Sequence, residues 1–142
     1  MGDGYSAWRV GVRAAVLVGS ARLLLARRGP SEVLRRLAGD AASRGTAQSV
    51  DEGRALIAVR RAGRVFRADC LPQAIALACL LHRGGATPEL VLGCRRYGPN
   101  QWGAHAWVDV DGHTLDPVEQ PDHAPLARLS ATTKWEVGPA IK

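Results

Sequence analysis

The sequence has few cysteines, and their spacing excludes a disulfide framework. The 142 residues contain three of them, Cys70, Cys79 and Cys94, with no CxxC pair. An odd number of cysteines without such a pair is typical of a protein in a reducing compartment. The cysteines and histidines also lack the spacing of a structural zinc site. We therefore expect no metal and no cofactor.

Long apolar runs are also scarce. Residues 10–26 form the only candidate membrane segment, and Arg13 and Arg22 interrupt it near the depth where a bilayer centre would lie. Arg27 and Arg28 follow this run instead of preceding it, which is not the pattern of a signal peptide. We therefore expect a cytoplasmic protein that does not enter a membrane.

A chain of this length can bury a hydrophobic core as one domain. We expect a single domain over residues 1–142, with a helical part at about 6–84 and a sheet part at about 88–130. The net charge is +6. Because the arginines are scattered in pairs along several predicted helices and a strand, solvated faces explain this charge better than a nucleic-acid site does.

Apolar periodicity predicts that the first half of the chain is helical. Three helices are expected ahead of the first cysteine, at residues 8–28, 31–37 and 50–62. Ser49 and Glu52 have the spacing of a capping box at the start of the third helix. Residues 40–48 are small and polar, which is typical of a loop.

A fourth helix begins near Cys70. From Gln73 onward almost every residue is apolar, so this helix is predicted to be buried and central. Pro72 lacks an N–H and fits only the first turn of a helix, which confines Cys70 to that turn or to the cap. The dipole and free N–H groups at a helix N-terminus lower the pKa of a thiol. The alternative is a structural thiol, because free cysteine is among the most buried residue types.

Short strands are predicted in the second half of the chain, at residues 90–94, 104–110, 113–116 and 126–129. The Asp-Gly pair at 111–112 is a strong hairpin signal. With that pair as the loop, Asp116 is the diagonal neighbour of His105, at a Cα separation of roughly 7 to 8 Å. Asp109 lies about 13 Å from His105 along the same strand, too far to orient the imidazole. The alternative for Asp116 is a structural role at the turn before Pro117.

These positions meet the requirements of nucleophilic catalysis. A cysteine nucleophile needs an imidazole to take its proton, and the imidazole needs a carboxylate to fix its tautomer and stabilise its charged form. Cys70, His105 and Asp116 supply one group of each kind. The sequence therefore predicts a catalytic triad, and a noncatalytic module that holds a partner in the cleft is the alternative from another class.

The residues of this triad resemble those of the transglutaminase-like branch of the papain-type cysteine enzymes. The pattern of that branch is a cysteine that opens a helix, a strand reading HAWV and a strand that ends in aspartate and proline. Here these elements are Cys70, residues 105–108 and Asp116-Pro117. Within the superfamily the chain is most similar to the leader peptidases of lasso peptide biosynthesis, the B2 proteins. The grounds are its size, its helical first half and the run CLPQAIALACLLHRGG.

The resemblance implies both a fold and a function. The implied fold is α+β, with a helical N-terminal half packed on a small antiparallel sheet and the nucleophile at the N-terminus of a central helix. In this family the cysteine attacks the bond between leader and core in a ribosomally made lasso precursor. Cys70 is thereby implied as the nucleophile, His105 as the general base and Asp116 as the orienting acid.

The resemblance also implies partners. They are the precursor peptide, a separate leader-recognition protein of winged-helix type and a macrolactam-forming cyclase that acts on the freed core. An acyltransferase that uses the same triad but passes the acyl group to an amine stays an alternative, because the sequence does not show the acceptor. The backbone N–H of Cys70 is the expected first oxyanion donor. For the second donor, Arg64, Arg67 and Gln73 are nearby polar residues without an obvious match, and Gln73 can instead belong to the helix cap.

Overall fold

The structure is a computed structural model that describes residues 2–39, 51–117, 123–130 and 136–137. Within these residues the fold is α+β. Four helices precede five strands: α1 (Gly2–Leu25), α2 (Pro30–Ala38), α3 (Glu52–Phe66), α4 (Cys70–Arg83), β1 (Glu89–Gly98), β2 (Gln101–Val110), β3 (His113–Leu115), β4 (Ala124–Leu129) and β5 (Glu136–Val137). In this part of the chain, no helix combines the length and the apolar character needed to cross a membrane.

Helix α4 is the centre of the fold, as its apolar sequence predicts. Helices α1, α2 and α3 pack against it on one side, and β1 and β2 pack against it on the other. Every residue from Pro72 to Leu81 is buried. Each fully buried side chain of the size of Ile75 or Leu77 contributes about 1.5–3 kcal/mol relative to an exposed one. The helix therefore carries its first residue, Cys70, on a rigid support.

Helix α3 begins and ends later than its sequence predicts. Its N-cap is Asp51, whose carboxylate accepts a hydrogen bond from the Arg54 N–H at 3.1 Å. The capping box that starts at Ser49 is therefore wrong for this helix, and Ser49 and the predicted loop at 40–48 lie outside the described residues. The helix continues through Gly63 to Phe66. A glycine is needed at position 63, because a side chain there would collide with Gln73 of α4.

The sheet is antiparallel, with the strand order β3-β2-β1-β4-β5. The hairpin between β2 and β3 has the predicted register, in which Val110 pairs with His113 and Val108 with Leu115. Asp111 and Gly112 have φ values of 49° and 80°, the left-handed conformation that a two-residue hairpin loop requires. The predicted hairpin is confirmed.

The other strands extend beyond their predicted bounds. β1 and β2 are ten residues long each, because Arg95, Arg96 and Gly98 continue the ladder beyond the apolar run, with a bulge at Tyr97. β4 contains the predicted strand at 126–129 and pairs with β1 on the side opposite β2. β5 adds a two-residue edge that no pattern in the sequence predicted.

Candidate active site

The first element of the site is a contact between His105 on β2 and Asp116, the residue that follows β3. The imidazole Nε2 lies 2.6 Å from the Asp116 Oδ2, and the side chains are 0% and 17% exposed. This contact confirms the one that the hairpin geometry predicted. An ionised carboxylate only accepts hydrogen bonds, so Nε2 carries the proton and Nδ1 has the free lone pair.

The Nδ1 atom of His105 is buried and has no hydrogen-bond partner among the described residues. Buried polar groups in folded proteins are nearly always hydrogen-bonded, so such an atom calls for an explanation. In the neutral imidazole, the Asp116 contact puts the proton on Nε2, and this nitrogen carries the lone pair. It is therefore placed to act as a base toward a proton donor that reaches it.

Cys70 is the first residue of α4, as Pro72 predicts, and Asp69 precedes it as the N-cap. The sulfur lies near the backbone N–H groups of Ala106, Leu71 and Cys70 itself, which lower its pKa. Strand β3 covers β2 from Val110 to Val108, and Ala106 lies just beyond that paired stretch. Cys70 and Asp116 therefore both approach β2 at the edge where β3 ends, next to His105.

Burial raises the pKa of the Cys70 thiol above its ordinary value, and the negative charge of Asp69 raises it further. The N–H groups of Ala106, Leu71 and Cys70 lower it, but by less than burial raises it. The expectation of a lowered pKa is therefore wrong for the free protein, because the half-buried position of the sulfur outweighs the helix N-terminus. The resting thiol is neutral at neutral pH, and its activation requires a base.

Comparison with known proteins places this arrangement in a family. A family model described as the transglutaminase-like superfamily matches residues 14–131 of the chain. The chain belongs to the transglutaminase-like superfamily. Members of this superfamily are usually cysteine-dependent enzymes, and the matched range includes Cys70, His105 and Asp116. Comparisons with curated proteins and with solved structures found no match.

Two further rings surround His105 in the transglutaminase-like domain. The Trp107 ring stacks on the imidazole at a centroid distance of 5.7 Å, and the His123 ring lies at 4.9 Å with a tilt of 45°. The Nε2 of His123 is 3.4 Å from the hydroxyl of Tyr97. The rings keep the imidazole in a packed environment, in which its orientation is restricted.

His123 is the site residue that the sequence does not reveal. It lies in a proline-rich segment, and no pattern in the sequence predicts that it lies near the imidazole. Its position depends on the pairing of β4 with β1, in which Pro125 faces Gly93 and Gly93 in turn faces His105. The contact between His123 and His105 therefore depends on two strand pairings, and no local sequence motif predicts it.

Gly93 is required at this place in the transglutaminase-like domain. A Cβ atom at Gly93 would lie 2.5 Å from a ring carbon of Trp107 and 2.7 Å from the carbonyl oxygen of Ala124. The close approach of the Trp107 ring to the β1 backbone is therefore possible only at a residue without a side chain.

The side chain of Gln73 is hydrogen-bonded inside the fold. Its Nε2 donates a hydrogen bond of 2.8 Å to the carbonyl oxygen of Ala68, and its side chain is buried against Gly63. The amide therefore supports the turn that leads into α4, which is the cap role that the sequence left open. It does not serve as the second oxyanion donor in this structure.

The remaining cysteine and acid candidates have structural roles. Cys79 is fully buried, its S–H donates to the carbonyl of Leu34 at 3.8 Å, and burial raises its pKa to about 12. Asp109 accepts hydrogen bonds from Thr114 at 2.7 Å and from Arg128 at 2.8 Å. Cys79 is therefore a core residue, and Asp109 is engaged with partners other than the imidazole.

Proposed function

We propose that this protein is a cysteine endopeptidase that removes the leader peptide from a ribosomally made lasso peptide precursor. The observation that carries the catalytic part is the His105–Asp116 pair with its unpartnered Nδ1, on β2 next to Ala106, whose backbone N–H lies near the Cys70 sulfur. Membership of the transglutaminase-like superfamily supports cysteine-dependent chemistry. The resemblance of the run CLPQAIALACLLHRGG to lasso leader peptidases supports the choice of substrate.

The proposed reaction gives each of the three side chains a distinct role. The Cys70 sulfur attacks the carbonyl carbon of the leader–core bond while its proton passes to the His105 Nδ1. Asp116 stabilises the imidazolium, which then gives the proton to the core amine as the C–N bond breaks. Water attacks the resulting thioester as His105 takes one of its protons. The C–S bond then breaks, the proton returns from His105 to the Cys70 sulfur, and the leader leaves with a free carboxyl group. The backbone N–H of Cys70 is the proposed first donor to the oxyanion.

The proposal includes three partners. The precursor peptide is the substrate, and a leader-recognition protein of winged-helix type holds its leader. A macrolactam-forming cyclase acts next, because hydrolysis leaves the core with the free amine that ring closure consumes. These partners follow from the resemblance to the lasso leader peptidases.

Mass spectrometry of the precursor after incubation with the protein, with and without the leader-recognition protein, tests this function. Hydrolysis yields a leader acid and a free core, acyl transfer yields a leader joined to an amine, and binding alone leaves the precursor intact. We expect hydrolysis that requires the partner. Cys70→Ala and His105→Ala are expected to abolish it, and Cys79→Ala to retain it. Full cleavage by Cys70→Ala refutes the nucleophile, and an equal rate without the partner refutes the partner requirement.

A further inference from the structure

The carboxylate that contacts His105 follows a very short strand. β3 has three residues at the edge of the sheet and pairs with β2 alone. Side chains of α3 reach both of its ends. Glu52 lies 2.5 Å from the His113 ring at the start of β3, and Arg60 reaches the backbone just after its end.

Arg60 makes two hydrogen bonds with one planar guanidinium. Its Nη2 donates to the carbonyl oxygen of Asp116 at 3.1 Å, and its Nε donates to the carbonyl oxygen of Pro117 at 3.0 Å. Both contacts are partly buried, and they hold the carbonyl groups of two successive peptide units, one on each side of Pro117. Arginine has a rigid fork of donors that matches two acceptors at once, whereas lysine has a single flexible ammonium.

The β3 ladder does not continue through Pro117. Proline lacks an N–H, so Pro117 donates no backbone hydrogen bond that would continue the β3 ladder. The side chain of Asp116 nevertheless makes a 2.6 Å hydrogen bond, and such bonds weaken steeply when distance or angle changes. A shift in the position of the Asp116 backbone therefore alters the distance or angle of the hydrogen bond between its carboxylate and His105.

We propose that Arg60 is a positioning residue for the catalytic pair. It fixes the backbone of Asp116 and Pro117 so that the Asp116 carboxylate holds the proton on Nε2 of His105 and leaves Nδ1 free. Arg60 acts through Asp116 and touches neither the sulfur nor the imidazole in this role. The catalytic consequence rests on the proposed function, whereas the consequence for the imidazole rests on the geometry alone.

The first test needs no turnover. Nitrogen NMR of the His105 side chain in the wild-type protein is expected to show a proton on Nε2 with the low-field shift of a strong hydrogen bond. In Arg60→Ala this signal is expected to weaken or to move toward that of a free imidazole. Arg61→Ala is the matched control, because Arg61 is the next residue on α3 and is exposed. A His105 signal unchanged in folded Arg60→Ala overturns the inference.

The second test measures kinetics with the precursor and its partner. Arg60→Ala is expected to lower kcat about tenfold with little change in KM, and Arg60→Lys to restore only part of the loss. In the Asp116→Asn variant, the additional change Arg60→Ala is expected to leave kcat unchanged. If kcat instead falls by the same factor as in the wild-type background, the two residues act independently and the inference is overturned. If circular dichroism shows that Arg60→Ala is unfolded, Arg60→Lys is used in both tests. A changed His105 signal together with a wild-type protein that cleaves nothing refutes the proposed function and leaves the positioning role supported.

Discussion

Replacement of Asp116 by asparagine tests how the imidazole is oriented. The 2.6 Å contact between Nε2 and the Asp116 carboxylate combines a fully buried ring with a carboxyl group that is 17% exposed. The asparagine side chain keeps nearly the same shape but removes the negative charge that stabilises the imidazolium. Its amide can also donate a hydrogen bond to Nε2, which favours the tautomer with the ring proton on Nδ1. In that tautomer Nδ1 has no lone pair with which to accept the proton of Cys70.

The size of the effect follows from the contact. A hydrogen bond to a charged group contributes about 1.5–3 kcal/mol, and each 1.36 kcal/mol changes a rate about tenfold. Loss of the charge alone therefore lowers kcat about 10- to 150-fold. A reversed tautomer lowers it further, to a total of about 10⁴-fold. The effect on KM is small, because Asp116 contacts the imidazole and the binding of the peptide does not depend on that contact.

The assay is the rate of precursor cleavage in the presence of the leader-recognition protein, followed by liquid chromatography and mass spectrometry. Asp109→Asn is the matched control, because Asp109 lies on the same strand as His105 but interacts with Thr114 and Arg128. We expect this control to retain at least half of the wild-type kcat. A similarly high kcat in folded Asp116→Asn would refute the assignment of Asp116 as the orienting acid.

Three further outcomes are expected from the same structure. Alkylation of Cys70 accelerates as the pH rises above neutrality, because burial raises its pKa, whereas Cys79 is unlabelled until the protein unfolds. The hydrogen bond to Glu52 raises the pKa of His113, so the stabilisation is complete below about pH 6 and is lost as the pH rises through the folded pKa. The Tm difference between wild type and His113→Gln is therefore larger at about pH 5.5 than at about pH 8.5. Gly93→Ala lowers the free energy of unfolding by about 1–3 kcal/mol, measured with denaturant, because its Cβ collides with a tryptophan ring.

Each of these outcomes has a control or a contrary result. A Cys70 alkylation rate that is already maximal below pH 7 contradicts the raised pKa. If the Tm difference between wild type and His113→Gln is equal at both pH values, the hydrogen bond between His113 and Glu52 does not contribute as stated. Gly11→Ala is the control for Gly93→Ala, because a Cβ at Gly11 meets no atom within 4 Å and alanine favours the α1 helix. This control is expected to be neutral or stabilising.

The hairpin and its acid were predictable because they depend on local rules. The Asp-Gly pair at 111–112 fixes the register of β2 and β3, and register decides which acid reaches His105. The N-terminal place of Cys70 followed from Pro72 in the same way, since proline is confined to the first turn of a helix. In each case a few neighbouring residues are enough to determine the local structure.

Long-range packing could not be predicted in this way. His123 reaches His105 through the pairing of β4 with β1, and Arg60 reaches Asp116 from a helix more than fifty residues earlier in the chain. The raised pKa of Cys70 has the same origin, because the helix N-terminus is a local feature whereas burial depends on everything packed around the sulfur. Local rules identified the candidate catalytic groups, and tertiary packing determines their surroundings.

The most direct test of the catalytic proposal is the mass of the protein during turnover. Rapid acid quenching of the protein with precursor and leader-recognition protein, followed by intact-mass measurement and peptide mapping, detects a covalent intermediate. We expect a thioester adduct on Cys70 with the mass of the leader acyl group, and none in His105→Ala. An acyl group mapped to another residue, or cleavage that continues in Cys70→Ala, would contradict the account.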